Sequence, residues 1–341
     1  MLRHMGALKK VSNSQGEYKE MKSKILGLAA ALATSSVIFA GPAVAAEIPC
    51  STAKLIVPWA PGGDTDLVFQ VVARAINETG FKPQLQIVHI SGQSGNKAAK
   101  EVKGSKPDGC TLMAMHESQV TTYLAGRVDF TWDAFAPVSL LTYTPSVLGA
   151  NSKAPFDDMK TLVAYAKKNP SKLGVGVTTG STSQFFNLVI EDQTGTEFKY
   201  IPYEGTRERL TAILSHNVDV GEMNILTAKQ YIKEGSMKAL GIATEKRDPL
   251  MPELPTMKEQ GVDVIYGLNR GVVAPLGTPA DVIKHYEAAF AVAMKNPAVV
   301  KHMDDAGTWI VYKDAAGYKS FLETSFAQHL KVAKKIGMFK G

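Results

Sequence analysis

The chain lacks most of the sequence patterns that mark metal-dependent or nucleophilic enzymes. Cysteine is scarce, with two residues in 341, and their spacing excludes a C-x-x-C redox or metal site. There is no H-E-x-x-H motif and no G-x-S-x-G motif, and the histidines are scattered along the chain. We therefore expect a protein that is not an enzyme and that uses no metal and no cofactor. A hydrolase that uses His116 and Ser183 is the remote alternative.

Positive charge is concentrated at the N-terminus. The formal net charge is +6, but residues 1–46 hold six basic and two acidic residues, which leaves 32 basic and 30 acidic residues and a charge of +2. The rest of the chain contains no long run of Lys and Arg. This composition argues against a nucleic-acid partner.

Long hydrophobic segments are limited to one stretch near the N-terminus. Residues 21–24 are basic, residues 25–40 are mostly apolar, and residues 41–46 are small with an A-x-A pattern. These are the three regions of a secretory signal peptide. We expect Met21 to be the start, cleavage near Glu47, and a periplasmic mature protein.

Strand and helix patterns alternate along the rest of the chain. The predicted strands cover residues 54–59, 84–89, 111–115, 140–150, 173–178, 198–202, 218–222, 238–243 and 272–274. The first predicted helix begins after residue 66. Five more cover residues 96–103, 158–169, 184–193, 206–215 and 228–234, and two others begin at Thr278-Pro279 and at Asp314. This alternation predicts α/β domains with mainly parallel sheets, and the mature length suggests two lobes.

The most informative stretch is residues 54–66, KLIVPWAPGGDTD. An apolar strand is followed by a tight glycine turn and by a helix N-terminus. Such a turn directs unpaired backbone N–H groups into one small space, at the positive end of the helix dipole. This arrangement is suited to a carboxylate or a phosphate. A βα turn with an ordinary N-cap is the alternative interpretation.

A second turn repeats this pattern. The strand predicted at residues 173–178 ends in the small polar residues 179–183, TGSTS, which open a helix. In open α/β sheets, ligands bind outside the carboxyl ends of the strands, where both turns would lie. One turn in each lobe predicts that the lobes hold an acidic ligand between them. A Ser/Thr helix cap with no ligand is the alternative for the second turn.

The two cysteines are placed for a disulfide. Cys50 precedes the strand at 54–59, and Cys110 precedes the strand at 111–115. If these strands are parallel neighbours, both cysteines lie at one edge of the sheet, and an oxidising compartment favours a bridge. A buried pair of free thiols is the less favoured alternative.

Seven segments, taken in order, resemble those of one protein family. They are PWAPGGDTD (58–66), PDGCTL (107–112), TTGSTS (178–183), IPYEGTRE (201–208), NVDVG (217–221), LPTMKEQG (254–261) and VVAPLGTP (272–279). The chain resembles the TctC/Bug family, the periplasmic solute receptors of tripartite tricarboxylate transporters.

The resemblance implies a type II periplasmic-binding-protein fold, with two α/β lobes joined by two crossover strands around a ligand cleft. The crossovers would lie near residues 141–150 and 266–275. The expected organisation is a cleaved leader (1–46), a first part of lobe 1 (47–143), lobe 2 (144–268) and a return to lobe 1 (269–341). The protein would be a monomer.

The resemblance also implies the residues of the ligand cleft. They are Trp59, Pro61, Gly62, Gly63, Asp64, Thr65, Asp66, His116, Thr179, Gly180, Ser181, Thr182, Ser183, Tyr203 and Asp219. Asp219 could instead accept a hydrogen bond from a backbone loop, and Trp59 and Tyr203 could instead pack within the lobes.

One departure from the family concerns charge. Glu204 follows Tyr203, where family members often carry Lys or Arg. We therefore expect oriented dipoles, rather than a salt bridge, to balance the ligand carboxylate. The predicted function is to capture a small organic acid and to deliver it to the membrane permease subunits of a tripartite transporter. A sensory receptor that presents its ligand to a histidine kinase is the alternative.

Overall fold

The computed structural model describes residues 47–339, so the predicted signal peptide lies outside the described residues. The strands are β1 Thr52–Val57, β2 Gln84–His89, β3 Thr111–Met115, β4 Phe135–Pro145, β5 Val147–Asn151, β6 Gly174–Val177, β7 Lys199–Pro202, β8 Val220–Met223, β9 Met237–Ile242, β10 Gly267–Pro275 and β11 Trp309–Lys313. The α-helices are α1 Asp64–Glu78, α2 Asn96–Lys103, α3 Ser118–Leu124, α4 Met159–Lys168, α5 Thr182–Thr194, α6 Thr206–Leu214, α7 Ile225–Lys233, α8 Ala280–Ala293, α9 Pro297–Asp305 and α10 Ala315–Lys335. None of the helices in residues 47–339 is long and apolar enough to cross a membrane.

The strands form two sheets with the same internal order. Sheet A runs β11-β4-β10-β3-β1-β2, and sheet B runs β7-β6-β8-β5-β9. In each sheet, three parallel strands are followed by one antiparallel strand that arrives from the other sheet, β10 in sheet A and β5 in sheet B. Most strands of each sheet run in one direction, as predicted: β1, β2, β3 and β4 in sheet A, and β6, β7, β8 and β9 in sheet B. The strands that return from the other sheet, β10 and β5, run the opposite way and pair antiparallel on both sides.

The chain passes between the sheets twice. The extended stretch predicted at 140–150 contains parts of two strands, because β4 ends in sheet A and β5 begins in sheet B with only Ser146 between them. The second passage leads from β9 to β10. Backbone hydrogen bonds join the two passages: the Ser146 N–H donates to the Tyr266 carbonyl (3.1 Å), and the Ala243 N–H donates to the Ser146 carbonyl (2.9 Å). The two segments that connect sheet A to sheet B therefore lie next to each other.

Helices cover both faces of each sheet, so consecutive residues of a central strand such as β1 are apolar on both faces. In β1, Leu55 and Val57 pack with α1, α8 and α9, whereas Ile56 packs with α2 and α10. In sheet B, α4 and α5 lie on one face, and α6 and α7 lie on the other. The predicted α/β architecture is present, although α8 begins one residue later than expected, at Ala280 with Pro279 as its N-cap.

Cys50 and Cys110 form a disulfide, with a Cα–Cα distance of 6.0 Å. The strands that follow the two cysteines are parallel neighbours, as the disulfide prediction assumed: β1 pairs with β3, and the Lys54 N–H donates to the Cys110 carbonyl at 2.9 Å. The bridge fastens the edge of sheet A where these strands begin.

The bridge gives a stability prediction. Replacing both cysteines by serine should lower the free energy of unfolding by about 2–4 kcal/mol, because the bridge restricts the unfolded chain between two residues 60 positions apart. Denaturant unfolding of wild type and of the double variant measures the difference. Denatured, unreduced wild type should show no reactive thiol, and two reactive thiols would contradict the bridge.

Candidate functional site

A cavity lies between the two sheets, beyond the carboxyl ends of the parallel strands. Its walls contain eight of the residues expected at the cleft: Trp59, Gly63, Asp64, Thr65, His116, Ser181, Thr182 and Ser183. They also contain residues that the sequence did not single out for the site: Ala60, Ser118, Thr178, Gly205, Thr206, Arg207, Glu208, Arg209, Glu222, Leu268 and Arg270.

The first turn is held in place from behind by Asp66. The Gly62 N–H donates to Asp66 Oδ2 at 2.8 Å, and His89 Nε2 lies 2.6 Å from Asp66 Oδ1. Burial raises the pKa of Asp66, but the Gly62 and His89 hydrogen bonds outweigh it, so the pKa is lower than usual. Gly62 has φ +78°, a conformation that favours glycine. Gly63, the N-cap of α1, thus reaches the cavity wall with Asp64 and Thr65.

The second turn is closed by its own hydroxyl groups. The Ser181 hydroxyl donates to the Thr178 carbonyl at 2.8 Å, and the Thr178 N–H donates to Ser183 Oγ at 2.9 Å. Thr179 and Gly180 face a separate recess on the other side of the turn. The Ser94 hydroxyl donates to the Thr179 carbonyl at 2.7 Å. This bond directly joins the segment after β2 to the second turn.

Trp59 and His116 form one wall. Their rings stack with centroids 5.0 Å apart and planes 11° from parallel. The Ser118 N–H donates to His116 Nδ1 at 3.2 Å. Burial, aided by the charge of Arg270, lowers the pKa of His116 to about 3, so the ring is neutral at physiological pH. Among the described residues, Trp59 Nε1 and Ser118 Oγ are buried without a hydrogen-bond partner, and both are free to bond a ligand or water.

Arg270, on β10, is the first cation that the sequence analysis missed. Its side chain is buried, with the residue only 1% exposed. Nε donates to Thr65 Oγ1 at 3.0 Å, and Nη1 donates to Thr144 Oγ1 at 2.6 Å. Within residues 47–339, no carboxylate oxygen lies within 4.0 Å of this guanidinium. Burial lowers the pKa of Arg270, yet a guanidinium keeps its charge at neutral pH.

Arg209, on α6, is the second cation. Nε donates to the Glu222 carbonyl at 3.1 Å, and Nη2 lies 4.0 Å from Glu222 Oε2. A Cβ at Gly176 or at Gly221 would lie 2.9 or 3.0 Å from the Arg209 side chain. These glycines, on β6 and β8, therefore make room for the arginine. Two arginines therefore line the cavity, whereas the sequence suggested only oriented dipoles to balance a ligand carboxylate.

Glu222 is the acidic partner of Arg209 in the cavity wall. It is buried and accepts a hydrogen bond from the Ser146 hydroxyl, at the first passage between the sheets. Burial raises the pKa of Glu222, and Arg209 and Ser146 offset only part of that effect.

The cavity walls do not include seven of the expected residues: Pro61, Gly62, Asp66, Thr179, Gly180, Tyr203 and Asp219. Pro61 and Gly62 are exposed in the first turn, and Asp66 is buried in the first turn of α1. Tyr203 packs against the core of sheet B, and its N–H donates to the Val177 carbonyl at 2.8 Å. Asp219 Oδ2 accepts from the Gly174 N–H at 2.7 Å, which is the backbone-acceptor role that was the alternative for this residue.

His116 and Ser183 line the same cavity but are engaged with other groups. His116 accepts from the Ser118 N–H, and Ser183 Oγ accepts from Thr178 and lies 3.1 Å from Ser181 Oγ. An activated serine requires a hydrogen bond to its base. No such bond joins the two side chains in the described part of the chain, and a pKa near 3 makes His116 a weak base.

Glu117 lies behind the cavity and gives a pH prediction. It is 4% exposed, and it accepts from the Asn269 N–H and from Asn269 Nδ2, the latter at 2.7 Å. Burial raises the pKa of Glu117 to about 7 from 4.5. Since the folded state then binds this proton more tightly than the unfolded chain, Glu117 lowers the free energy of unfolding as pH rises from about 4.5 to 7.

The variant Glu117→Gln does not titrate. The unfolding free energy of the variant minus that of wild type should therefore increase by about 3 kcal/mol between pH 4 and pH 8. Urea unfolding at a series of pH values measures this difference. Parallel curves for the two proteins would contradict the raised pKa.

Comparisons with known proteins agree with this fold. The family model described as "Tripartite tricarboxylate transporter family receptor" (TctC) matches residues 69–338. A protein of Cupriavidus necator, "UPF0065 protein in gbd 5'region", is 27% identical over 328 residues, which are 92% of this chain and 96% of that protein. The periplasmic binding protein BugD has a TM-score of 0.78 at 25% identity, over 85% of this chain and 99% of BugD.

Two similar structures contain ligands. MatC from Rhodopseudomonas palustris, solved with bound malate, has a TM-score of 0.77 at 27% identity, over 83% of this chain and 98% of MatC. R. palustris Rpa4515, solved with adipate, has a TM-score of 0.80 at 26% identity, over 85% of this chain and 99% of that protein. The fold is that of a periplasmic binding protein.

Proposed function

Because the chain belongs to the TctC family, the receptors of tripartite tricarboxylate transporters, we propose that it binds a small carboxylate in the cavity between its sheets. It delivers this ligand to the permease subunits of such a transporter. The ligands of two similar proteins, malate and adipate, are also carboxylates. The family assignment and the expected signal peptide support action in the periplasm.

The main support for the proposal is that the Arg270 guanidinium is buried without a carboxylate partner among residues 47–339. A buried charge without a partner costs free energy, and a carboxylate in the cavity would compensate it. The guanidinium presents donors in a planar arrangement that matches a carboxylate. Two of its nitrogens are already fixed by Thr65 and Thr144, so its orientation is set before a ligand arrives.

The two turns supply neutral donors on either side of that charge. Gly63 and Thr65 belong to the N-terminal end of α1, and Ser181 and Ser183 belong to that of α5. Both helix dipoles favour an anion near these ends. A carboxylate between the turns would therefore be stabilised by both sheets together.

Binding would close two lobes around the ligand. We assign lobe 1 to residues 47–143 and 269–341 and lobe 2 to residues 144–268, with boundaries inside β4 and β10, close to the two passages between the sheets. The bond from Ser94 to Thr179 supports a closed arrangement in the structure described here. Closure would exclude water, which strengthens hydrogen bonds and charge interactions in the cavity.

Calorimetry and thermal unfolding with a panel of small carboxylic acids test the proposal. A true ligand at 100 times its dissociation constant should add about 2.7 kcal/mol to the free energy of unfolding. The amide of the same acid should bind much more weakly, because it lacks the charge that Arg270 requires.

The variant Gly63→Val tests whether the ligand lies against the first turn. Gly63 has φ −82°, which valine tolerates, and a Cβ there would meet only the Ala60 carbonyl oxygen, at 3.4 Å. The variant should fold and should lose ligand binding, because the added side chain occupies the cavity wall. Unchanged affinity in the variant would place the ligand elsewhere, and no response to any acid would refute the proposal.

A further inference from the structure

We propose that the ligand is a zwitterion, an amino-acid-like molecule whose carboxylate pairs with Arg270 and whose ammonium group pairs with Asp64. This inference rests on the proposed function and narrows its substrate class. It distinguishes this cavity from one built for the dicarboxylates malate and adipate.

Inside its exposed rim, the cavity has one unpaired charge of each sign. Arg270 is buried and has no carboxylate within 4.0 Å among residues 47–339. Asp64 lines the same cavity, is partly buried, and shows no side-chain hydrogen bond or ion pair with the described residues. Each charge is therefore available to a ligand group of opposite sign.

The other buried charges in the wall, Arg209 and Glu222, are matched to each other. Arg209 donates to the Glu222 carbonyl and lies 4.0 Å from its carboxylate. Arg207 and Glu208 are exposed at the rim and have opposite signs. The interior that remains for a ligand carries one positive and one negative charge.

The positions of the two free charges also favour a zwitterion. Asp64 directly precedes Thr65, whose hydroxyl accepts from Arg270 Nε at 3.0 Å, and no Asp64 oxygen lies within 4.0 Å of a cationic nitrogen among residues 47–339. The two free charges are thus near each other, yet farther apart than an ion pair. A small molecule with both charges would fill that gap and leave every buried charge paired.

A dicarboxylate fits this interior poorly. One carboxylate would pair with Arg270, but the other would face Asp64 or Glu222. Charges of the same sign in a closed cavity repel each other, which gives the site a means to reject diacids. Asp64 also lies in the first turn of α1, where an acid stabilises the helix dipole, so its helix role requires a control.

The test uses probes that differ in a single group. A thermal-unfolding screen of α- and ω-amino acids first identifies the amino acid that stabilises the wild type most. Calorimetry then compares it with two analogues of the same carbon skeleton, one with hydrogen and one with a carboxylate in place of the ammonium group; 4-aminobutyrate, butyrate and succinate form one such set. The amino acid should bind about tenfold or more tighter than either analogue.

Asp64→Asn is the diagnostic variant. This variant should weaken binding of the amino acid about tenfold or more. Its binding of the deaminated acid should be unchanged or tighter. Asp281→Asn, in the first turn of α8 and outside the cavity, controls for the loss of an acid at a helix N-terminus. It should change neither affinity.

Three outcomes would overturn the inference. A diacid or plain monoacid that binds the wild type as tightly as the matched amino acid shows that the ammonium group is not recognised. An equal loss of affinity for all three probes in Asp64→Asn shows that this residue has a structural role. These two results leave the carboxylate receptor intact, whereas a failure of every amino acid and every acid to bind overturns the proposed function as well.

Discussion

Replacing Arg270 by Gln is expected to weaken binding of any carboxylate ligand by about 2–5 kcal/mol, which is about thirtyfold or more. The guanidinium is buried, is fixed by two threonine hydroxyls, and has no carboxylate partner among residues 47–339. The ligand would therefore provide its counter-charge. Because a buried pair is screened little by ions, the affinity of the wild type should respond weakly to salt.

The same variant should be at least as stable as the wild type without ligand. An unpaired buried charge opposes folding, as the lowered pKa of Arg270 through burial also indicates. Arg127→Gln is the matched control, since Arg127 is exposed and faces the separate recess behind the second turn. Calorimetry and urea unfolding on both variants give affinity and stability separately. Equal affinities for Arg270→Gln and Arg127→Gln would show that Arg270 does not contact the ligand.

Replacing Arg209 by Met is expected to lower the free energy of unfolding by about 3–5 kcal/mol. Arg209 is 3% exposed and is the nearest cation to the buried Glu222. Removing it leaves that carboxylate without a counter-charge and leaves the Glu222 carbonyl without the Arg209 Nε donor. Because burial raises the pKa of Glu222, the loss should be smaller at acidic pH, where Glu222 is protonated.

Two further variants separate charge from packing. Arg207→Met removes an exposed arginine two residues away on the same helix, and should change stability by no more than about 0.5 kcal/mol. The double variant Arg209→Met with Glu222→Gln should recover much of the loss, because it removes the orphaned charge. Denaturant unfolding measures all four proteins. A loss in Arg209→Met no greater than that in Arg207→Met would show that the buried pair carries no stability.

The local parts of the site could be predicted from sequence because they depend on neighbouring residues. Residues 54–66 contain an apolar strand, glycines that tolerate positive φ, and a helix N-terminus, and this segment folds as expected. The Cys50–Cys110 bridge followed from the positions of two short strands and one assumption about their pairing. The order of seven short segments was sufficient to indicate the family, to which the family model also assigns the chain.

The direction of the strands and the charge of the cavity were decided only by the tertiary structure. The segment 140–150 reads as one strand, and only its pairing partners show that it changes sheets at Ser146. Likewise, Arg207 and Arg209 are two residues apart on one helix, yet one is exposed and the other is buried between Gly176 and Gly221. Local periodicity describes which residues share a face, whereas burial of a charge depends on space and partners supplied by distant strands. For that reason the sequence determined the turns that can hold an anion, and the packing of two sheets determined that two arginines lie between them.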